Sequence, residues 1–218
     1  MKWRADTGPK VNHPIFARFY ARLSSRMEDE GVADRREQLL SGLSGRVLEI
    51  GAGNGLNFTH YPTEVTSVFA VEPEPHLRAL AHRQAKRASV PVEVVEGLAD
   101  DLPAGDASFD AAVASLVLCS VSNRRSALEE VRRAVKPGGE LRFFEHVQAD
   151  SHSLRRIQRL LDLTVWPLAA GGCHAGRDTL AAMEAAGFRI EQLERFRFPD
   201  TSVAMPTSPH VLGAAIRK

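Results

Sequence analysis

Cysteine is scarce in this 218-residue chain: Cys119 and Cys173 are the only two. Two thiols so far apart make neither a disulfide framework nor a metal-like pair, so a reducing compartment and no metal are expected. An excess of charge of one sign is also missing. Lysine and arginine number 28 against 27 acids, a formal net charge of +1, and no basic field argues for nucleic acid. No apolar run approaches the roughly 18 residues that span a membrane. Met1 to Asp6 lacks the apolar core of a signal peptide, and a cytoplasmic location is the expectation. There is no Pro/Gly/Ser-rich linker, repeat or low-complexity tract, so one domain is expected over 1–218. What is present is a hydrophobic content of 44%, enough to fill a substantial core.

The apolar residues are patterned. Ile15, Phe16, Phe19, Tyr20 and Leu23 recur at helical spacing beside an Arg18, Arg22, Arg26 stripe, which predicts helix through 14–43. Strands are expected at 46–50, 65–71, 92–95, 109–115 and 140–145. Helices are expected just after residue 55 up to Tyr61-Pro62, and over 75–87, 123–135, 154–168 and 178–186. Strands alternating with helices mean a parallel sheet covered on both faces. Two late strands, 188–194 and 210–217, read as an antiparallel closing hairpin.

The richest stretch is Arg46-Val-Leu-Glu-Ile-Gly-Ala-Gly-Asn-Gly-Leu-Asn57. It reads as a buried strand entering a glycine turn, where a ligand can approach bare backbone and a helix end. The glycines fall at 51, 53 and 55. A dinucleotide fingerprint would place another at 56, which is Leu, and here an acid, Glu49, precedes the turn. Glu72, at the tip of the second strand, lies near the ~20-residue offset expected of an acid that binds a ribose diol.

Five segments in register carry a family resemblance: Val47 to Gly55, Glu72, Gly97 to Pro103, Ser108 to Val113 and Leu128 to Leu141. In that order they resemble the motifs of class I S-adenosylmethionine (SAM) methyltransferases of the type-11 group. The resemblance implies a three-layer α/β, Rossmann-like sheet of seven strands in the order 3-2-1-4-5-7-6, the last antiparallel, with a helical cap. It divides the chain into an N-terminal helical cap (14–43), a SAM-binding core (44–147) and an acceptor-side cap with the closing hairpin (148–218). It implies SAM as cofactor. Gly51, Ala52, Gly53 and Asn54 would serve its amino-acid moiety, with Glu49 reaching the ammonium through water. Glu72 would hold the ribose, and Leu98 and Ala99 the adenine. Ser115 and Leu116 would line the methyl-donating end, with Asn57 and Pro73 completing the set. Many family members have Asp where this chain has Leu98.

A narrower likeness rests on Asn57 to Pro62, Ser115 to Val121, Phe144 to Val147, Gly172-Cys-His174 with Arg177, and Ser208 to Gly213. These are similar to the methyltransferase-like protein 7 (thiol methyltransferase) group and its bacterial relatives. They imply a small, lipophilic acceptor: a thiol, an amine or a phospholipid-type headgroup. Animal members begin with a hydrophobic membrane anchor, which this sequence does not show. The basic amphipathic stretch 154–168, with Arg155, Arg156 and Arg159, leaves peripheral membrane contact open. His146 and His174 are the candidate bases on the acceptor side. Two alternatives stand beside this reading: a non-catalytic SAM-binding module, and an NAD-dependent oxidoreductase.

Overall fold

The computed structural model describes residues 11, 13–164, 166–200 and 205–218. Seven strands form one sheet: β1 (Gly45–Ile50), β2 (Val65–Val71), β3 (Val92–Val95), β4 (Phe109–Ser115), β5 (Val135–His146), β6 (Phe188–Arg197) and β7 (Pro209–Arg217). Their order is β3-β2-β1-β4-β5-β7-β6. β1 to β5 pair in parallel, while β7 runs antiparallel to both β5 and β6. The expected sheet and its closing hairpin are therefore observed.

The central strands are apolar on both faces, as parallel strands covered on both sides must be. Leu48, Ile50, Ala112, Ala114, Leu141 and Phe143 face one core with Leu128, Val131 and Met183. Those last residues come from α4 (Arg124–Ala134) and α7 (Thr179–Ala185). Val47, Ala111, Val113 and Phe144 face the other core with Leu39, Leu40 and Ala81. These belong to α2 (Ala33–Leu40) and α3 (Pro75–Ala85). The C-terminal ends of β1, β2, β4 and β5 thus emerge along one edge between two packed layers, where open α/β sheets bind ligands.

Four boundaries differ from the sequence reading. No helix follows the glycine turn: residues 51–61 form successive turns. Gly51, Gly53 and Gly55 adopt φ of 59°, 57° and 80°, and three left-handed residues so close together cannot start a right-handed helix. Short-range bonds (Gly55 to Ala52, Phe58 to Gly55, His60 to Asn57) take its place. The N-terminal helix divides into α1 (Pro14–Met27) and α2, joined by a π-helical turn, Glu28–Val32, with Gly31 at φ 106°. The stretch 154–168 divides into α5 (His152–Asp162) and α6 (Trp166–Ala169); Val165 lies outside the described residues. β5 begins five residues earlier than expected, since Val135 already pairs with Phe109. Among the described residues no helix is long and apolar enough to cross a membrane.

Candidate functional site

The site starts where β1 ends. Ala52 donates to the Val71 carbonyl at 3.1 Å, which ties the glycine turn to β2. Glu72 follows directly. Its Oε2 accepts the Gly53 N–H at 2.7 Å and its Oε1 the Glu74 N–H at 2.9 Å. Each oxygen keeps a further lone pair. Burial pushes this carboxyl up to about 7 against the pull of those two amides. Pro73 then leads into α3, whose first turn is capped by Glu74 accepting from Leu77 at 2.7 Å. Leu98 and Ala99 lie half-buried just past β3, in a turn closed by Asp101 N–H donating to the Leu98 carbonyl.

Glu49 sits underneath the turn. Its two oxygens accept from Asn57 Nδ2 at 2.9 Å and Tyr61 Oη at 2.7 Å. Burial raises its pKa to about 7 despite these bonds. The Asn57 carbonyl in turn accepts from Arg36 at 2.7 Å, and Arg36 also reaches Ser115 Oγ at 3.3 Å and pairs with Glu28 at 2.9 Å. A buried chain Glu28–Arg36–Asn57–Glu49–Tyr61 therefore supports the turn from below. Arg36 was not among the expected site residues. Its signal was an arginine three and four positions before Leu39 and Leu40, on the buried stripe of its helix.

Helix α1 closes the turn from above. Asn54 Nδ2 donates to Ser24 Oγ at 3.1 Å. A Cβ on Gly53 would stand 3.6 Å from the Tyr20 ring, and burial raises the Tyr20 hydroxyl to about 12. Phe16 stacks on Tyr20, with ring centroids 5.7 Å apart. Phe16 also packs on Gly171, where a Cβ would fall 2.3 Å from the ring.

The acceptor side is organised by a second buried carboxylate. Leu116, just past β4, takes the left-handed φ of 57°, a conformation uncommon for a leucine. The chain then wraps around Glu145 at the end of β5. Glu145 accepts from the N–H groups of Val117 and Leu118 at 2.9 Å and of Cys119 at 3.2 Å. Burial raises this carboxyl to about 7 against those amides and His146. Val117 lies against Gly51, where a Cβ would meet it at 2.2 Å. This contact joins the donor turn to the β4 turn.

The loop 171–177 completes the wall. His174 N–H donates to the Cys119 carbonyl at 2.9 Å. The Arg177 guanidinium donates to the Leu118 and Val121 carbonyls at 3.1 and 2.6 Å. Asp162 of α5 accepts from the Ala175 and Gly176 N–H groups at 2.7 and 2.9 Å. α5 itself is anchored by Gln158, which bonds Ala149, Val147 and Pro206. Leu154 and Leu161 are half-buried, whereas Ile157 is 50% and Leu160 65% exposed. A glutamine and an aspartate thus supply the polar anchoring, and part of the apolar face is left exposed.

Both expected histidines are on this side. His174 Nδ1 lies 2.8 Å from the Gly172 carbonyl. That contact makes Nδ1 the protonated nitrogen and leaves the Nε2 lone pair free to accept. His146 Nδ1 lies 3.4 Å from Cys173 Sγ, and its ring is 4.4 Å from that of His210. Burial, then His146, holds His210 down to about 3, so it stays neutral. The two cysteines meet here, although their spacing in the chain gave no sign of it. Their sulfurs lie within 4.8 Å of one another, and this proximity lowers Cys173 and, with burial, raises Cys119.

The comparisons with known proteins agree on the kind of molecule. Residues 48–143 match the methyltransferase domain family. Thiol S-methyltransferase TMT1B of Homo sapiens is 36% identical over 183 residues, covering 82% of this chain and 74% of the relative. This chain belongs to the class I SAM-dependent methyltransferases. Thiol S-methyltransferase TMT1A of Homo sapiens is 32% identical over 201 residues, 87% of this chain and 81% of its own. Among solved structures, a SAM-dependent methyltransferase from Mesorhizobium loti superposes with a TM-score of 0.63 at 22% identity. It covers 84% of this chain and 95% of that one.

SAM is therefore the cofactor, and the NAD alternative falls. The chain fits SAM in two respects. Glu72 offers one spare lone pair on each oxygen beside the glycine turn, as a ribose diol requires. The turn carries no side chain at 51 or 53 that would fill the approach to its backbone. One expectation for this methyltransferase is corrected: no helix dipole stands behind the turn, so the turn's own N–H groups are what it offers an anionic moiety.

Proposed function

We propose that this methyltransferase transfers the methyl group of SAM to the sulfur of a small, lipophilic thiol. The observation that carries the acceptor class is the relationship to two proteins named thiol S-methyltransferases, at 32–36% identity over more than four-fifths of the chain. Glu72 takes the ribose hydroxyls on its spare lone pairs. The N–H groups of Gly51, Ala52, Gly53 and Asn54 hold the carboxylate, Leu98 packs on adenine, and the Ala99 N–H meets the ring edge. Glu49 and Asn57 keep the turn in shape, and Ser115 and Leu116 border the reacting end.

SAM brings a carbon already activated by its sulfonium, so the protein's part is proximity, alignment and removal of one proton. His146 and His174 are the acceptor-side groups. His174 suits the proton, because its Nδ1–H is spent on the Gly172 carbonyl and Nε2 keeps its lone pair. The test is a labelled-methyl assay over alkyl thiols, amines, phenols and phospholipid headgroups. Thioether products from alkyl thiols are expected. Methylated amines or phenols with no thioether would overturn the acceptor class, and SAM binding without any product would favour the non-catalytic alternative.

A further inference from the structure

Cys119, His146 and Cys173 come from three separate elements: the turn after β4, the tip of β5 and the 171–177 loop. Their ligand atoms all lie within 4.8 Å of one another. Each is fixed through its backbone. Cys119 is held between Glu145 and His174 N–H. His146 sits in the β5–β7 ladder opposite His210. Cys173 N–H donates to the Ala170 carbonyl at 3.1 Å. Gly172 has φ 89°, and a Cβ there would fall 2.8 Å from the Ser120 carbonyl. Glycine at that position lets the Cys173 loop press against the Cys119 segment.

Free buried cysteines usually act as small apolar residues, and that role requires neither a second thiol nor an imidazole beside it. Two sulfurs and one ring nitrogen form the donor set of a borderline-soft cation, not of magnesium or calcium. Across a tetrahedral zinc ion, bonds of about 2.0 Å to nitrogen and 2.3 Å to sulfur put the two ligand atoms about 3.5 Å apart. His146 Nδ1 and Cys173 Sγ are 3.4 Å apart. Two thiolates also neutralise a divalent charge, so a loaded site buried beside Glu145 and Arg177 brings no net charge into the interior.

We propose that Cys119, Cys173 and His146 bind one zinc-class divalent cation, with a fourth coordination position open to water. Any proton on either thiol passes to solvent as the ion arrives.

The test uses the full chain, purified under reducing conditions without metal resin, stripped with a chelator and titrated with zinc or cobalt(II). We expect one equivalent of zinc to bind, and cobalt to give an intense thiolate-to-metal charge-transfer band that saturates at the same ratio. Cys173→Ser and His146→Gln should each lower zinc affinity about 100-fold or more, while far-ultraviolet circular dichroism stays native. Cys119→Ser repeats the test at the more buried ligand, and Cys173→Ser decides if that variant fails to fold. Reduced wild-type protein that takes up neither metal would overturn the proposal. So would a folded Cys173→Ser variant that binds zinc as tightly as wild type. A Cys119–Cys173 disulfide in air, with no cation uptake after reduction, would also overturn it and assign the pair to thiol–disulfide exchange.

Discussion

The donor and acceptor halves of the site use the same device at different ranges. In both, a buried carboxylate gathers backbone N–H groups at the end of a strand. Glu72 gathers Gly53 from the turn after the adjacent strand β1, and Glu74 two residues on. Glu145 gathers Val117, Leu118 and Cys119 from the far side of β4. The donor carboxylate keeps lone pairs for a ligand, whereas the acceptor carboxylate is committed to shaping the chain. Both tie the end of one strand to the turn after its neighbour, across 19 residues at Glu72 and 26 to 28 at Glu145.

Four changes would break or sharpen that comparison. The largest effect is expected from Glu145→Ala, which orphans three buried N–H groups. At roughly 1–3 kcal/mol for each unsatisfied group, unfolding in urea should show a loss of about 3 kcal/mol or more. A loss below about 1 kcal/mol would mean that Glu145 is not the organiser of the acceptor half.

Glu72→Ala orphans two buried N–H groups rather than three, so it should cost less stability, about 2 kcal/mol, and in addition weaken SAM binding by ~1–3 kcal/mol in calorimetry. The Km for the thiol should hardly move. Equal losses in both would erase the distinction between the halves.

The third change concerns pH. Burial raises Glu72 to about 7 from an ordinary value near 4.5. Between those values the folded state keeps a proton that the unfolded state has lost. Ionisation therefore costs stability as pH rises through that window, and the cost is fully present above about 7. The Glu72→Gln variant escapes this cost. Its stability relative to wild type should climb from pH 5 to 7, by about 1.4 kcal/mol per pH unit at most, read as a growing difference in melting temperature. A pH-independent difference would contradict the assigned burial effect. Ribose hydroxyls favour the ionised form, so SAM binding should release protons near pH 6.5, read from its dependence on buffer ionisation heat.

The smallest effect is expected from Asn54→Ala, which removes the bond to Ser24. A loss of about 1 kcal/mol in SAM affinity is expected if closure by α1 contributes to holding the cofactor; no change would detach α1 from the donor site.

The donor half was the more legible from sequence because its information is local. The continuous buried run of β1, the glycines at 51, 53 and 55, and Glu72 at the next strand tip are separated by short intervals. Even there, the helix expected from just after residue 55 to Tyr61-Pro62 is replaced by successive turns, because the glycines ahead of it are left-handed. Arg36 was visible only as a charge on an apolar stripe, and its partners Asn57 and Ser115 could not be read from the chain. On the acceptor side, Cys119, His146 and Cys173 are brought together by the β4–β5 pairing and the approach of Gly172 to Ser120. Neither leaves a spacing signature, so a ligand count along the sequence misses the cluster. The exposed part of the α5 apolar face was hidden for a related reason: amphipathicity reveals which residues share a face, but not whether anything covers it.

Helix α1 touches both halves, through Tyr20 at Gly53 and Phe16 at Gly171. It is joined to the rest of the chain by the Gly31 kink. One wall therefore serves two chambers. A change in how this helix packs is felt at the glycine turn and at the 171–177 loop together, and the two halves are coupled through one shared face.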